Sequence, residues 1–553
     1  MLVMSHQLIN MLSERIASGL KRKTITSCSR WAENYRVMGK PYPGKWTFDH
    51  HPWVREMHDC DDNIIVGQKA AQMGFTEVAL NKVFYEIDVN ATSCLYILPA
   101  STPDAKDFSS ARFDPALELS SHLQNLFSDV KNVGHKRAGS ANLFIRGTRS
   151  PNHLKSLPVG FIVADELDEM VQKHLALASE RLSGQVEKQE FKISTPTIDD
   201  FGINAEYRRS TQDHFFFKCP RCSRLIELIF PECMVITSDD PDDIKIKGTY
   251  IVCSKCKGRL EHEDKINFLK NGIWVPAKTD KMIRGFHINQ MYSMSIEPYE
   301  LARLYLTAQT NPSDEQEFFN SKLGLTHVVE GASVTDSELV KCQGSHKKTT
   351  RDTSGSLITM GVDVGKFLHF EICKWHIDTT KQTSDINIMS TAIILNEGKV
   401  SHFEELDLLM RDFNITFCVI DANPERRKAL EFAQRFWGSV RLCFYTSGLS
   451  GKAIKIHPEH EHTISVDRTS WLDLSLARFM RTAIKLPVDT SFEYKAHIKS
   501  LVRIYSKDAS GNPVGKYTKG NVADHFAHAR NYCEIALSLG ANLGASHNIE
   551  GVL

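Results

Sequence analysis

Between residues 60 and 200 short apolar runs alternate with stretches of helical spacing. The runs at 64–66, 94–98, 161–164 and 191–193 each end at a polar or Gly/Pro cluster, which predicts buried parallel strands in an α/β sheet. Residues 78–85 carry the helical period between the first two. Leu8, Ile9, Leu12, Ile16 and Leu20 recur at helical spacing, so residues 1–39 read as an amino-terminal helical arm. The rhythm breaks at 215–278, an inserted small module with a polar middle, TSDDPDDIKIKG. Residues 331–356 are rich in Gly, Ser, Thr and Lys and read as a linker. Beyond it a second set of strands is predicted at 357–362, 369–373 and 417–420, with a final helix at 526–537.

Length supports this division, since 553 residues correspond to two to four domains. The chain is 42% hydrophobic and 24% charged, with 67 basic against 67 acidic residues. A net charge of zero excludes coating DNA by bulk electrostatics, so any nucleic-acid face must come from local segregation of charge. Between 478 and 530 ten basic residues face four acidic ones, enough for a phosphate-backbone face. No apolar run approaches the roughly eighteen residues needed to cross a bilayer, so the expectation is neither secretion nor membrane insertion. Nine of the thirteen cysteines are scattered singly, as suits a reducing compartment.

The predicted strand at 64–66 runs into GQKAAQMGFTE (67–77) and then a helix. Strand, small-residue loop, Gly74, and the hydroxyl of Thr76 at a helix start place backbone N–H groups around phosphates. Phe75 stands where the loop lysine is expected, and Lys69 occupies the position of the first glycine, from which it can reach the same phosphates. The strand at 161–164 ends in Asp165-Glu166, the pair by which nucleoside triphosphatases hold magnesium and polarise water. The next strand ends in Ser194-Thr195-Pro196, where a hydroxyl can sense the terminal phosphate. ATP and Mg2+ are the implied ligands, with Thr76 and Asp165 sharing the metal.

Cys219-Pro220-Arg221-Cys222 and Cys253-Ser254-Lys255-Cys256 have the spacing of a four-thiolate structural zinc site. Two redox pairs are the alternative. In the second domain two strands end in acids, Asp363 and Asp421, and Asp524 precedes the last helix. Three such aspartates can converge on Mg2+ or Mn2+ for phosphodiester cleavage, in the order an RNase H-like nuclease requires.

Taken in sequence, these features resemble the large terminase subunit of tailed bacteriophages, in its lambda-like branch. The resemblance also covers SRWAENYRVM and PGKWTFDHHPWVREM (within 29–57), RGFHINQMYS (284–293) and EFFNSKLG (317–324). It implies a P-loop ATPase domain over 40–330 with an inserted zinc ribbon, an RNase H-like nuclease domain over 357–540, and a flexible tail at 541–553. It further implies an ATP-driven motor in the host cytoplasm that moves double-stranded DNA into a procapsid and cuts the concatemer, as a homo-oligomeric ring on the portal protein. The small terminase subunit would dock on the amino-terminal arm, and the tail would reach the portal. Relatives carry a loop arginine where this chain has Gln72, so Arg146 and Arg149 are the arginine-finger candidates. Trp46, Trp53 and Arg55 would frame the adenine, and His525 would assist a metal or flank it.

Two other classes fit part of the pattern. A recombination nuclease coupled to a helicase-like ATPase would need a second recA-like domain, and the aspartates stand in its place. A zinc-dependent DNA-binding scaffold would have no use for acids kept at both strand ends.

Overall fold

The computed structural model describes residues 26–547, apart from 128–129, 156, 353, 381–382, 384, 447–448, 450, 458–461 and 508–512. It divides into two compact units, Met1–His327 and Val328–Leu553. Of the expected amino-terminal arm, residues 1–25 lie outside the described residues, and Cys28–Tyr35 is a helix capped by Ser27. No helix among the described residues is long and apolar enough to cross a membrane.

The first unit is built on a large mixed sheet. Seven of its strands run parallel, in the spatial order Asp213–Lys218, Arg284–Ile288, Ile64–Lys69, Gln189–Ser194, Phe161–Asp165, Cys94–Leu98 and Ala141–Gly147. Cys94–Leu98 and Phe161–Asp165 are buried at every position, which is why they read as unbroken apolar runs, whereas Ala141–Gly147 alternates. Helix Phe75–Asp88 follows Ile64–Lys69. Gly67 has no side chain because a Cβ there would meet the Phe75 ring at 2.6 Å. The predicted insert is rooted in this sheet: Asp213–Lys218 pairs with Ile273–Pro276. Its own small sheet is Met234–Val235, Tyr250–Val252 and Arg259–Leu260.

The second unit holds a mixed eight-stranded sheet. Ile358–Val364, buried throughout, lies between the antiparallel Leu368–Ile377 and the parallel Phe417–Asp421. Helix His525–His547 crosses it so closely that a Cβ on Gly361 would fall 2.0 Å from the Ala529 carbonyl oxygen. That contact needs glycine, and it brings the helix start to the end of the strand. The helix also continues into the segment expected as a tail, of which 548–553 lie outside the described residues.

Part of the segment expected as a linker is built into this unit. Helix Asp336–Lys341 starts with a capping box between Thr335 and Glu338, Leu339 and Cys342 are buried in the core, and Gln343 pairs with Leu486. With Val334, Leu339 and Cys342 make three apolar positions of this core in a polar stretch, too few to register as a periodic element.

A buried charged network lies between helix His525–His547 and its neighbours. Arg530 Nη1 is 2.5 Å from Glu371 Oε1, Arg530 Nη2 is 2.8 Å from Glu534 Oε2, and Arg478 Nε is 2.6 Å from the same Glu534 oxygen. Burial raises the Glu371 carboxyl despite Arg530, while burial at Glu534 is overcome by Arg478 and the group stays below its ordinary value. Two of the ten cations expected on a DNA face are therefore inside the protein.

Candidate active sites

In the first unit the strand-end residues expected to act together do meet. Thr76 Oγ1 is 3.0 Å from Asp165 Oδ2, and the Tyr96 hydroxyl donates to the same oxygen at 2.7 Å. The other Asp165 oxygen is buried without a partner. Burial and the neighbouring Glu166 raise this carboxyl to about 6. A hydroxyl and a carboxylate converging around an unpartnered buried oxygen fit a magnesium ion. Lys69 Nζ sits 3.2 Å from Glu166 Oε1, the lysine buried and the glutamate half-exposed.

The phosphate loop is held from three distant segments. Ala70 N–H donates to the Ile288 carbonyl at 3.0 Å and Ala71 N–H to that of Ser321 at 2.7 Å. Gln290 Nε2 donates to the Ala71 carbonyl, and Gln68 Nε2 to that of Gly324. Trp53 Nε1 donates to the Met73 carbonyl. Gly324 has φ +65°, and a Cβ there would meet Ala70 N at 2.7 Å. Gly74 caps the helix with φ 85°. These buttresses lie in the stretches 29–57, 284–293 and 317–324 singled out in the sequence, but their attachment to the loop could not be read from it.

Several expected side chains are placed otherwise. The Phe75 ring is packing beneath the loop. Trp53 is fully buried and also accepts at its carbonyl from Trp274 Nε1, so it supports the loop instead of framing a base. Trp46 is buried against Phe48 and His58, and Arg55 pairs with Glu33 and lies over Phe48. The Ser194 hydroxyl donates to the Thr195 carbonyl and accepts from Asp168 N–H. Arg146 donates to the carbonyls of Gly134 and Ile145, which engages one end of its guanidinium, while Arg149 is exposed.

The cysteine pairs form two matching turns. Ser223 N–H donates to Cys219 C=O, and Lys257 N–H to Cys253 C=O. Ser223 and Lys257, each one residue past its CxxC, have φ 57° and 55°. The Sγ separations are 4.0 Å for Cys219 to Cys256 and 3.9 Å for Cys222 to Cys253, and all four ligand atoms lie within 4.8 Å of one another. A tetrahedron with metal–sulfur bonds of about 2.3 Å has edges of about 3.8 Å, so the thiolates fit zinc. Burial opposes ionisation of Cys253, yet backbone N–H groups of Cys256 and Lys255 bring its thiol down to about 7.

In the second unit Asp363 sits one residue before the end of Ile358–Val364, directly opposite His369. His525 Nδ1 is 2.8 Å from Asp363 Oδ2, and the His525 ring stacks on His369 with centroids 4.5 Å apart. Asp524 is paired with Lys519, and His528 Nε2 lies 3.3 Å from its other oxygen. Burial would raise Asp524, but His528 and Lys519 hold it well below the carboxylate range. Asp421 is pushed up to about 6 by burial, aided by Asp363. Among the described residues Asp363, His369 and His525 form one of two metal-capable groups in this unit, their ligand atoms within 4.8 Å of one another; the other is Glu371, Cys373 and Cys533. His369 was missed in the sequence because a histidine inside an apolar strand carries no motif. The basic hairpin Leu501–Lys507 and Pro513–Lys519 delivers Lys519 to Asp524.

Two family models match the chain in succession. Residues 40–274 match the phage terminase large subunit gpA, ATPase domain, and residues 283–496 the terminase large subunit gpA, endonuclease domain. The chain belongs to the phage terminase large subunits. Its activities are ATP-driven DNA packaging and endonucleolytic cutting, by an ATPase and a metal-dependent nuclease. Asp524 and His525 lie beyond the matched nuclease region. No curated protein matches the sequence. Among solved structures, the large terminase of a thermophilic bacteriophage is 12% identical with a TM-score of 0.30, covering 87% of this chain and 95% of that one. A mutant large terminase ATPase domain of Thermus phage P74-26 is 12% identical with a TM-score of 0.32, covering 50% and 94%. The magnesium-bound terminase nuclease of thermophilic phage G20c is 14% identical with a TM-score of 0.24, covering 37% and 98%. The assignment rests on the two family models.

Proposed function

We propose that Thr76, Asp165, Lys69 and Glu166 form the hydrolytic centre of the motor and that Asp363, Asp421 and Asp524 form the cutting centre. The observation that carries the first is the meeting of Thr76 with Asp165, and of Lys69 with Glu166, beside the loop. With Ala70 and Ala71 already bonded, the N–H groups of the later loop and the helix start, with Gly74 as cap, cradle the phosphates. Lys69 neutralises phosphate charge, and Glu166 takes a proton from the attacking water. Ser194 fixes the strand end, which leaves the Thr195 hydroxyl to sense the terminal phosphate. Arg149 is the better placed arginine finger, offered to a neighbouring subunit. Divalent ions supply charge neutralisation at the first centre and water activation at the second.

In this reading four cysteines hold one structural Zn2+ in a ribbon beside the ATPase sheet. The protein works as a ring on the portal, moves double-stranded DNA into the procapsid in the host cytoplasm, and receives its substrate from the small terminase subunit. Lys516 and Lys519 on the hairpin and the exposed Arg481 supply backbone contacts to DNA.

Glu166→Ala and Asp363→Ala test the two-centre reading. Glu166→Ala should lose ATP hydrolysis and keep manganese-supported plasmid nicking, and Asp363→Ala should do the reverse. Both activities surviving both changes would overturn it.

A further inference from the structure

The aspartates are not alone at the cutting centre. The ligand atoms of Asp363, His369 and His525 lie within 4.8 Å of one another, brought together by a cross-strand pair and a helix start. His369 is 4% exposed, and its Nδ1 is buried with no hydrogen-bond partner. A buried nitrogen left without a partner is destabilising unless a ligand satisfies it. A carboxylate oxygen and two imidazole nitrogens within that distance of one another, one imidazole buried with an unpartnered nitrogen, make up the donor set of a transition-metal site.

We propose that Asp363, His369 and His525 form a cation position that selects a first-row transition ion such as Mn2+ over Mg2+. Magnesium demands oxygen ligands in near-ideal octahedral geometry and keeps its waters, whereas imidazole suits transition ions. Asp421 and Asp524, oxygen donors only, are left to any second cation. The inference rests on Asp363 belonging to the cutting centre.

The test uses the full-length, zinc-replete chain with Mn2+ or Mg2+ alone. Electron spin-echo envelope modulation of bound Mn2+ should show nitrogen coupling, to which the oxygen donors of the nucleotide site contribute nothing. Titration calorimetry should show Mn2+ binding about tenfold or more tighter than Mg2+. His525→Gln, on a half-exposed ring, and His369→Gln should each weaken Mn2+ by about tenfold, reduce the nitrogen modulation, and move Mg2+ by less than about twofold. Absence of nitrogen modulation in the wild type, or equal losses for both ions, would overturn the proposal. If His369→Gln does not fold, the wild-type spectrum and His525→Gln decide. Asp363→Asn separates the two readings: retained nicking sinks the cutting-centre assignment. Lost nicking with histidine variants that leave Mn2+ unchanged sinks only the imidazole ligands.

Discussion

Lys69 Nζ lies 3.2 Å from Glu166 Oε1, so the cation at the start of the phosphate loop and the carboxylate after Asp165 restrain each other. Glu166 holds this place with φ 63°, a left-handed conformation that costs a non-glycine residue about 1–2 kcal/mol. Glu166→Gln keeps the shape and removes the charge. We predict that ATP hydrolysis falls by about 10²–10⁴ while nucleotide affinity holds or rises, because Lys69 is released toward phosphate. Single-turnover hydrolysis and fluorescent-nucleotide titration would show it, and a matching loss of affinity would contradict it.

Gly324→Ala should damage the nucleotide site from outside it. The added methyl meets the Ala70 nitrogen at 2.7 Å, and φ +65° disfavours any side chain, for a cost of about 1–3 kcal/mol. ATP affinity should drop and the first unit should melt earlier, with nicking unchanged. Normal nucleotide binding would show that the loop does not depend on this contact.

Removing zinc should cost structure before chemistry. Atomic absorption on the wild type should give about one zinc per chain, and Cys253→Ser should bring it near zero. A folded, active, metal-free protein would remove the ribbon from the account.

Acid should act on the cutting centre through two carboxyls with opposite shifts. Asp421, raised to about 6, is protonated below that value, so affinity for the second cation should fall as pH drops from 7 to 5. Asp524 is depressed, so its contribution to stability is present above its unfolded value of about 3.9 and is lost as pH falls through the folded one. Calorimetry across pH 5–8 and acid unfolding below 4 report the two separately. An affinity for the second cation flat from 5 to 7 would exclude Asp421.

Arg530→Ala leaves Glu371 and Glu534 buried with less compensation, and we expect a loss of about 3–5 kcal/mol by urea denaturation of the second unit. A change below about 1 kcal/mol would mean the network contributes little.

What the sequence made legible follows a physical line. Strands buried on both faces appear as apolar runs, and acids at their ends, Asp165, Asp363 and Asp421, stand out against them. The CxxC pairs are local in the chain and therefore visible. Contacts across long separations are not: nothing in EFFNSKLG announces that the Ser321 carbonyl would receive a loop amide. Charge counting failed for Arg478 and Arg530 because their partners, Glu371 and Glu534, are joined only by folding. Trp53 looked like a base platform because an aromatic next to a loop reads the same whether it faces ligand or core.

The carbonyls of Ile288 and Ser321 also impose an order of events. A ribosome delivers residues 67–76 long before 288 and 321, so the nascent phosphate loop lacks these two anchors until more than two hundred further residues have emerged. A chain stopped at 274 would hold every residue of the loop together with Asp165 and Glu166, yet should bind ATP poorly. The amides of Ala70 and Ala71 thus find their partners only once the ATPase sheet receives its late strand, Arg284–Ile288, and the segment that follows it.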